Sequence, residues 1–120
     1  MIKTSEIKTF YTERMSLDPN NENSSLSPEK PKRIIDYLHK NNLLRYFEME
    51  DTFKPFEIED FYIAHHKDYV NSFFSDQLEK RYKRLLGLSW NKKFADTTRY
   101  TNASLYSAIH SSIENPHNVC

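Results

Sequence analysis

Ser27–Tyr37 reads SPEKPKRIIDY, and a later partner, Ala64–Val70, reads AHHKDYV. In the first stretch Pro31 fixes φ near the start of a helix, where its missing N–H removes no hydrogen bond. Ile34, Ile35 and Leu38 then recur at helical spacing, which predicts a helix from Pro31 to about Lys40. Asn41-Asn42 closes it, because asparagine tolerates left-handed geometry, and Leu43-Leu44 folds back under the core. Upstream, Glu6–Thr12 (EIKTFYT) alternates Ile7, Thr9 and Tyr11 against Lys8 and Phe10, which predicts a short strand. Between the two, Ser16–Pro28 is rich in Asp, Pro, Asn and Ser, and is expected to be a mobile surface loop.

Downstream, Phe47–Phe53 (FEMEDTF) puts Phe47, Met49 and Phe53 on one face and Glu48, Glu50 and Thr52 on the other. That alternation predicts a second strand with one buried face, ended by Lys54-Pro55. Glu57–Ser75 reads as two helical pieces: a short one at Ile58 and Phe61, and a stronger one whose stripe is Tyr69, Val70, Phe73 and Phe74. Asp76–Leu86 sets Glu79, Lys80, Arg81, Lys83 and Arg84 around Leu78, Tyr82 and Leu85, an amphipathic turn or short helix whose charges face water or meet an acidic partner. Gly87 breaks the pattern. Phe94, Thr98, Thr101, Leu105, Ala108 and Ile109 then step along one face of a long helix that ends before Pro116. Small residues beside them, Ala103, Ser104 and Ser107, would let that helix approach a sheet closely. His117–Cys120 (HNVC) reads as the start of another strand.

At 120 residues one domain is expected. Charged residues make up 28%, and mean hydropathy is −0.82, so the core must draw on the eight Phe and eight Tyr. Seventeen basic residues balance seventeen acidic ones, which leaves no positive field for nucleic acid. Cys120 is the single cysteine, so no internal disulfide can form. Met1 leads into a polar stretch without a signal-like or membrane-spanning run, and a cytoplasmic location with no membrane partner is expected. One glycine cannot build a G-x-G-x-x-G loop, a P-loop or a G-x-S-x-G elbow, which excludes the enzyme classes that depend on them.

The order strand, loop, helix, strand, helices, helix argues for α/β layers with parallel strands. SPEKPKR, the helix and strand after it, Pro55, the A-H-x-x-x-Y-V of Ala64–Val70, the GLSW of Gly87–Trp90 and the small-residue helix together resemble the N-terminal part of the histone deacetylase family. That family includes acetoin-utilisation proteins and acetylpolyamine amidohydrolases. The resemblance runs from about Ile7 to Cys120 but covers only the opening part of a family domain. It implies one incomplete domain, the N-terminal portion of a three-layer α/β/α fold, helix-rich with a few short parallel strands. It also implies that the whole protein is a zinc-dependent hydrolase of acetyl amides, on acetyl-lysine or acetylpolyamine.

By the resemblance, the family's proline-then-arginine element falls on Pro31 and Arg33. Arg33 is then either a lining residue of an internal channel behind the active site or a structural arginine paired with a carboxylate or carbonyl oxygens. His65 and Tyr69 match the H-x-x-x-Y motif, which supports packing in the family. Tyr11 matches the aromatic that ends the first strand, and packing is its implied role. Trp90 is either a rim aromatic or partly buried packing. Two departures weaken substrate gripping by the rim. Ser27 stands where relatives often have His, and no Asp of the rim loop has a match near Gly87–Trp90.

His65-His66 imitates the family's catalytic His pair, which belongs in a glycine-rich loop after a strand. On a helix or its start, adjacent side chains point about 100° apart, so the two imidazoles are not expected to converge. No D-x-H, H-x-x-H or C-x-x-C spacing occurs, so neither catalytic residues nor metal ligands are assigned in this chain. The zinc ligands of a full-length member would lie past Cys120, beyond the strand that HNVC begins. A truncated, catalytically inactive product is therefore expected. It would pair with the missing C-terminal part of the domain or associate with itself to cover exposed strand edges and helix faces. A non-catalytic interaction module is the alternative.

Overall fold

Two short parallel strands carry the architecture. In the computed structural model, which describes residues 7–17, 28–86, 89–117 and 120, β1 (Ile7–Phe10) pairs with β2 (Phe47–Glu50), Ile7 opposite Phe47 and Phe10 opposite Glu50. Parallel neighbours need a crossover, and α1 (Lys30–Lys40) lies within it, making a βαβ unit. The mixed, helix-rich α/β character agrees with expectation. β2 is shorter than its apolar pattern, because Tyr11 N–H to the Glu50 carbonyl (3.1 Å) is the last rung that β1 provides. Its predicted buried face is not closed either. Met49 is 40% exposed, while Glu50 is half-buried.

α1 starts at Lys30 with Pro31 in its first turn, but Glu29 at its N-cap makes no side-chain cap bond. The cap comes from sixteen residues upstream: the Ser16 hydroxyl accepts the Lys32 N–H at 3.0 Å. Leu17 N–H donates to the Pro28 carbonyl at 3.0 Å, and both Ser16 and Leu17 are buried. The expectation of a mobile loop from Ser16 onward is thus corrected at its first two residues, while 18–27 lie outside the described residues. At its end α1 closes as predicted. Asn42 sits at φ 56°, and the Asn41 side chain donates to the Tyr37 carbonyl at 2.8 Å.

A 3-10 helix at Ile58–Ile63 and α2 (Lys67–Phe74) realise the two expected helical pieces, with Val70 and Phe73 buried. α3 (Lys80–Leu85) is short and solvated, and its pairs Arg81–Glu79 (3.0 Å) and Lys83–Asp76 lie at the surface. Gly87 is outside the described residues, as are Asn118 and Val119 of the predicted last strand. α4 (Lys92–Glu114) opens two residues before its predicted stripe, because Asn91 caps it by accepting the Phe94 N–H at 2.8 Å.

The small residues of α4 meet the sheet as their size predicts, while its apolar stripe is left partly uncovered. Its buried residues are Ala95, Thr97, Ala103 and Ser111, whereas Leu105 is 62% and Ile109 51% exposed. Small side chains let α4 sit directly on β1, where the Ser104 hydroxyl donates to the Phe10 carbonyl. A larger residue there would hold the helix away, so the sheet selects the small face rather than the apolar one.

Packing is aromatic, as the composition requires. A chain of ring contacts 5.0–5.9 Å between centroids runs Tyr106–Phe56–Phe61–Phe74–Phe73–Phe94. Phe73, Leu78 and Ala95 form the buried cluster, with Phe74, Leu86, Trp90 and Phe94 against it. Cover is nevertheless thin. Six apolar residues are buried among the described residues, against eleven large ones exposed. The radius of gyration, 16.5 Å, exceeds the roughly 14 Å of a well-packed chain this long.

Candidate functional site

The 3-10 helix, α2 and α4 enclose an open groove of about 240 Å³, lined by the rings of Phe61, Tyr69, Phe73, Phe74 and Phe94. His65, Thr98 and Asn102 add its polar atoms. Local bonds explain its walls. At the start of the 3-10 helix Asp60 Oδ2 accepts the Glu57 N–H at 2.8 Å, and the Tyr62 hydroxyl donates to Asn71 Oδ1 at 2.6 Å, tying that helix to α2. Between them His66 caps α2, its Nδ1 accepting the Asp68 N–H at 3.2 Å.

This arrangement separates the two histidines. His65 lies in the turn before the cap, not within the helix, with its ring 6.2 Å from Tyr69 on the groove side. His66 is committed to the backbone through the Asp68 N–H. Two members of the sequence motif, His65 and Tyr69, therefore meet in one groove, and both are exposed. Trp90 packs half-buried against the Phe73 cluster, and its indole N–H is buried with no acceptor among the described residues.

The other sequence-derived residues lie elsewhere. Pro31 is half-buried in the first turn of α1. The Arg33 side chain is 74% exposed and pairs with Glu29 at 3.6 Å, so among the described residues its neighbour is a carboxylate one turn away. Tyr11 follows β1, half-buried. Burial raises its phenol above the ordinary value of 10.0, and the Glu13 and Asp36 carboxylates push the same way, against a hydrogen bond with Ser16.

A second cleft, of about 340 Å³, opens at the carboxyl ends of β1 and β2, where ligands of open α/β sheets bind. Lys8, Glu50, Thr52, Ser107, His110 and Glu114 are among its lining residues. His110 Nε2 and Glu114 Oε1 are 3.4 Å apart. Sequence reading passed over this pair, although its i, i+4 spacing on a predicted helix was a usable signal. Also passed over was Arg99. Its Nε–H donates to the Phe56 carbonyl at 2.6 Å, its backbone carbonyl accepts the Phe56 N–H at 3.2 Å, and its guanidinium lies 3.6 Å from Glu57 and 3.7 Å from Asp96. No motif marks such a residue, because its partner is 43 positions away.

Among the described residues, no three of His, Cys, Asp and Glu converge as a metal site would require. No helix among them is long and apolar enough to cross a membrane. No model of a known protein family matches the chain, and neither a curated protein nor a solved structure matches it.

Proposed function

We propose that the chain is the N-terminal region of a deacetylase-like amide hydrolase of three-layer α/β/α fold, working in the cytoplasm on acetyl-lysine or acetylpolyamine, and inactive by itself. The observation that carries this reading is the βαβ unit with α4 seated on its sheet through Ala103 and Ser104. Parallel sheets occur almost only where helices cover both faces, and Met49, 40% exposed, marks a sheet face without such cover. The Arg33 and H-x-x-x-Y positions enter this reading as family signatures rather than as chemistry.

The test compares the 120-residue chain with a version extended through any in-frame continuation that encodes G-H-H and D-x-H segments. Zinc content and acetyl-amide hydrolysis are measured on both. The short chain is expected to show neither stoichiometric zinc nor turnover, and the extended one both. Tight zinc or turnover in the short chain would overturn the proposal.

A second reading, a non-catalytic module that associates with itself, is favoured by one observation. Thr101–Ile113 (TNASLYSAIHSSI) holds no Asp, Glu, Lys or Arg, although Leu105, Tyr106, Ile109 and Ile113 are exposed there. In a chain with 28% charged residues, a solvated helix face of that length would ordinarily carry several charges.

A further inference from the structure

We infer that the Thr101–Ile113 stretch of α4, free of Asp, Glu, Lys and Arg, is a homodimer interface, two copies crossing at Ile109. The inference rests on the self-association reading and adds to it the surface and the geometry.

The stripe lies opposite the sheet. Ala103, Ser104, Ser107 and Ser111 point toward β1 or the cleft beside it, and at 100° per residue Leu105, Ile109 and Ile113 fall on the far side. Their exposures are 62%, 51% and 75%, so half or more of each branched side chain meets solvent. Asn102, Thr101, Ala108 and Ser112 flank them, all small or uncharged.

A second copy suits this face better than an arbitrary partner for three reasons. The stripe is nearly palindromic about its centre, since large apolar residues stand four positions either side of Ile109. A two-fold axis there sets Ile109 on its own copy and Leu105 on Ile113 of the other, as an isologous contact requires. Two-fold packing also brings identical charges together, and the Leu105–Ile109–Ile113 stripe has none to repel, since His110 and Glu114 line the cleft on the sheet side. The whole chain carries zero formal net charge, which removes the long-range repulsion that keeps many proteins apart.

The pattern also sets the angle. Leu105, Ile109 and Ile113 form an i±4 ridge, and two such ridges interdigitate with the helices crossing at about 50°. Such a crossing limits the contact length. The apolar area offered falls short of the ~800 Å² that each partner gives to a standard interface, so a dissociation constant on the order of micromolar is expected.

Sedimentation equilibrium across a concentration series, on a Cys120→Ser background, tests association itself. A concentration-dependent monomer–dimer equilibrium supports it, and a monomer throughout overturns both the inference and the self-association reading. Ile109→Asp then tests the surface. Because Ile109 is half exposed the variant should keep the helical circular dichroism of the parent, and a pair of facing carboxylates should weaken the dimer by about tenfold or more. A dimer undiminished by this substitution would leave self-association standing and remove α4 as its surface. If the variant lost its fold, Ile109→Cys with a short bis-maleimide decides. The Ile109→Cys chain is expected to cross-link rapidly into dimers and a Lys40→Cys chain, altered on α1, is not. Equal cross-linking of the two variants refutes the geometry.

Discussion

Removing the Arg99 side chain should loosen the joint between α4 and the segment that leads into the aromatic groove. Among the described residues Arg99 is the one side chain that hydrogen-bonds α4 to Phe56, and only 25% of it is exposed. A hydrogen bond from a charged donor contributes about 1.5–3 kcal/mol. The ion pairs add less. Glu57 is 73% exposed and Asp96 34%, positions where a pair contributes roughly 0–0.5 kcal/mol. Arg99→Ala should therefore lower stability by about 2–3 kcal/mol. Glu57→Gln and Asp96→Asn together should cost less than about 1 kcal/mol. Arg99→Lys keeps the charge but not the Nε donor, and should recover only the ion-pair share. Urea unfolding followed by circular dichroism reads these values as midpoint shifts at constant slope, at one protein concentration, because association would make stability concentration-dependent. A loss below about 0.5 kcal/mol for Arg99→Ala, or an equal loss for the carboxylate pair, would refute the view that the bond to Phe56 dominates.

Three further outcomes follow from the same geometry. Ser104→Ala leaves the Phe10 carbonyl without its hydroxyl donor and should cost about 1 kcal/mol, while Ser104→Leu overpacks the contact of α4 with β1 and should cost about 1–3 kcal/mol in the same unfolding assay. Asn42→Gly, at φ 56°, should leave stability within roughly a few tenths of a kcal/mol, whereas Asn42→Val should lose about 1–2 kcal/mol to left-handed strain. Tyr11 should titrate above 10.0 in an ultraviolet difference titration, since burial and then Glu13 and Asp36 favour its neutral form. The folded state then keeps a proton that the unfolded state releases, so the stability linked to Tyr11 is intact below about pH 10 and falls as pH rises beyond it. Tyr11→Phe should remove that alkaline loss. An ordinary titration for Tyr11 would contradict its burial.

Local signals were legible where a short stretch contains all the partners. Pro31 and the Ile34–Leu38 repeat marked α1, and Asn41-Asn42 marked its closure, because caps and left-handed residues act within a few positions. What sequence could not show were partners supplied from afar. Ser16 reads as loop chemistry until Lys32 is placed above it, and Arg99 reads as one more surface charge until Phe56 is placed beside it. The α4 pattern was legible in part: the small residues that approach the sheet were readable, but not that Leu105 and Ile109 of the stripe stay exposed. Periodicity tells which residues share a face, but a sheet two strands wide admits a helix by its small residues, so Ala103 and Ser104 took the inner side and the apolar stripe the outer one. The candidate site divides the same way. The motif brought His65 and Tyr69 to one groove, whereas the cleft at the strand ends draws its lining from three separate segments.

Along α4, surface chemistry and cover diverge at one point. Lys92, Lys93, Asp96 and Arg99 make its first two turns an ordinary charged helix above the aromatic cluster. From Thr101 to Ile113 charge disappears while large apolar side chains stay exposed, a combination that costs solubility and brings nothing unless another surface covers it. The two proposed readings cover different surfaces, a second copy on this outer stripe of α4 and a third layer on the Met49 face of the sheet, and lengthening the chain tests them separately. If a second copy is the resident cover, Ile109→Cys should cross-link in the short and in the extended chain alike. A third layer would cover the Met49 face of the sheet, so extension should bury Met49 and leave position 109 exposed. Cross-linking lost on extension would count against this stripe as the dimer surface, and a Met49 side chain still exposed in the extended chain would count against the deacetylase-like layer, since each cover has its own face.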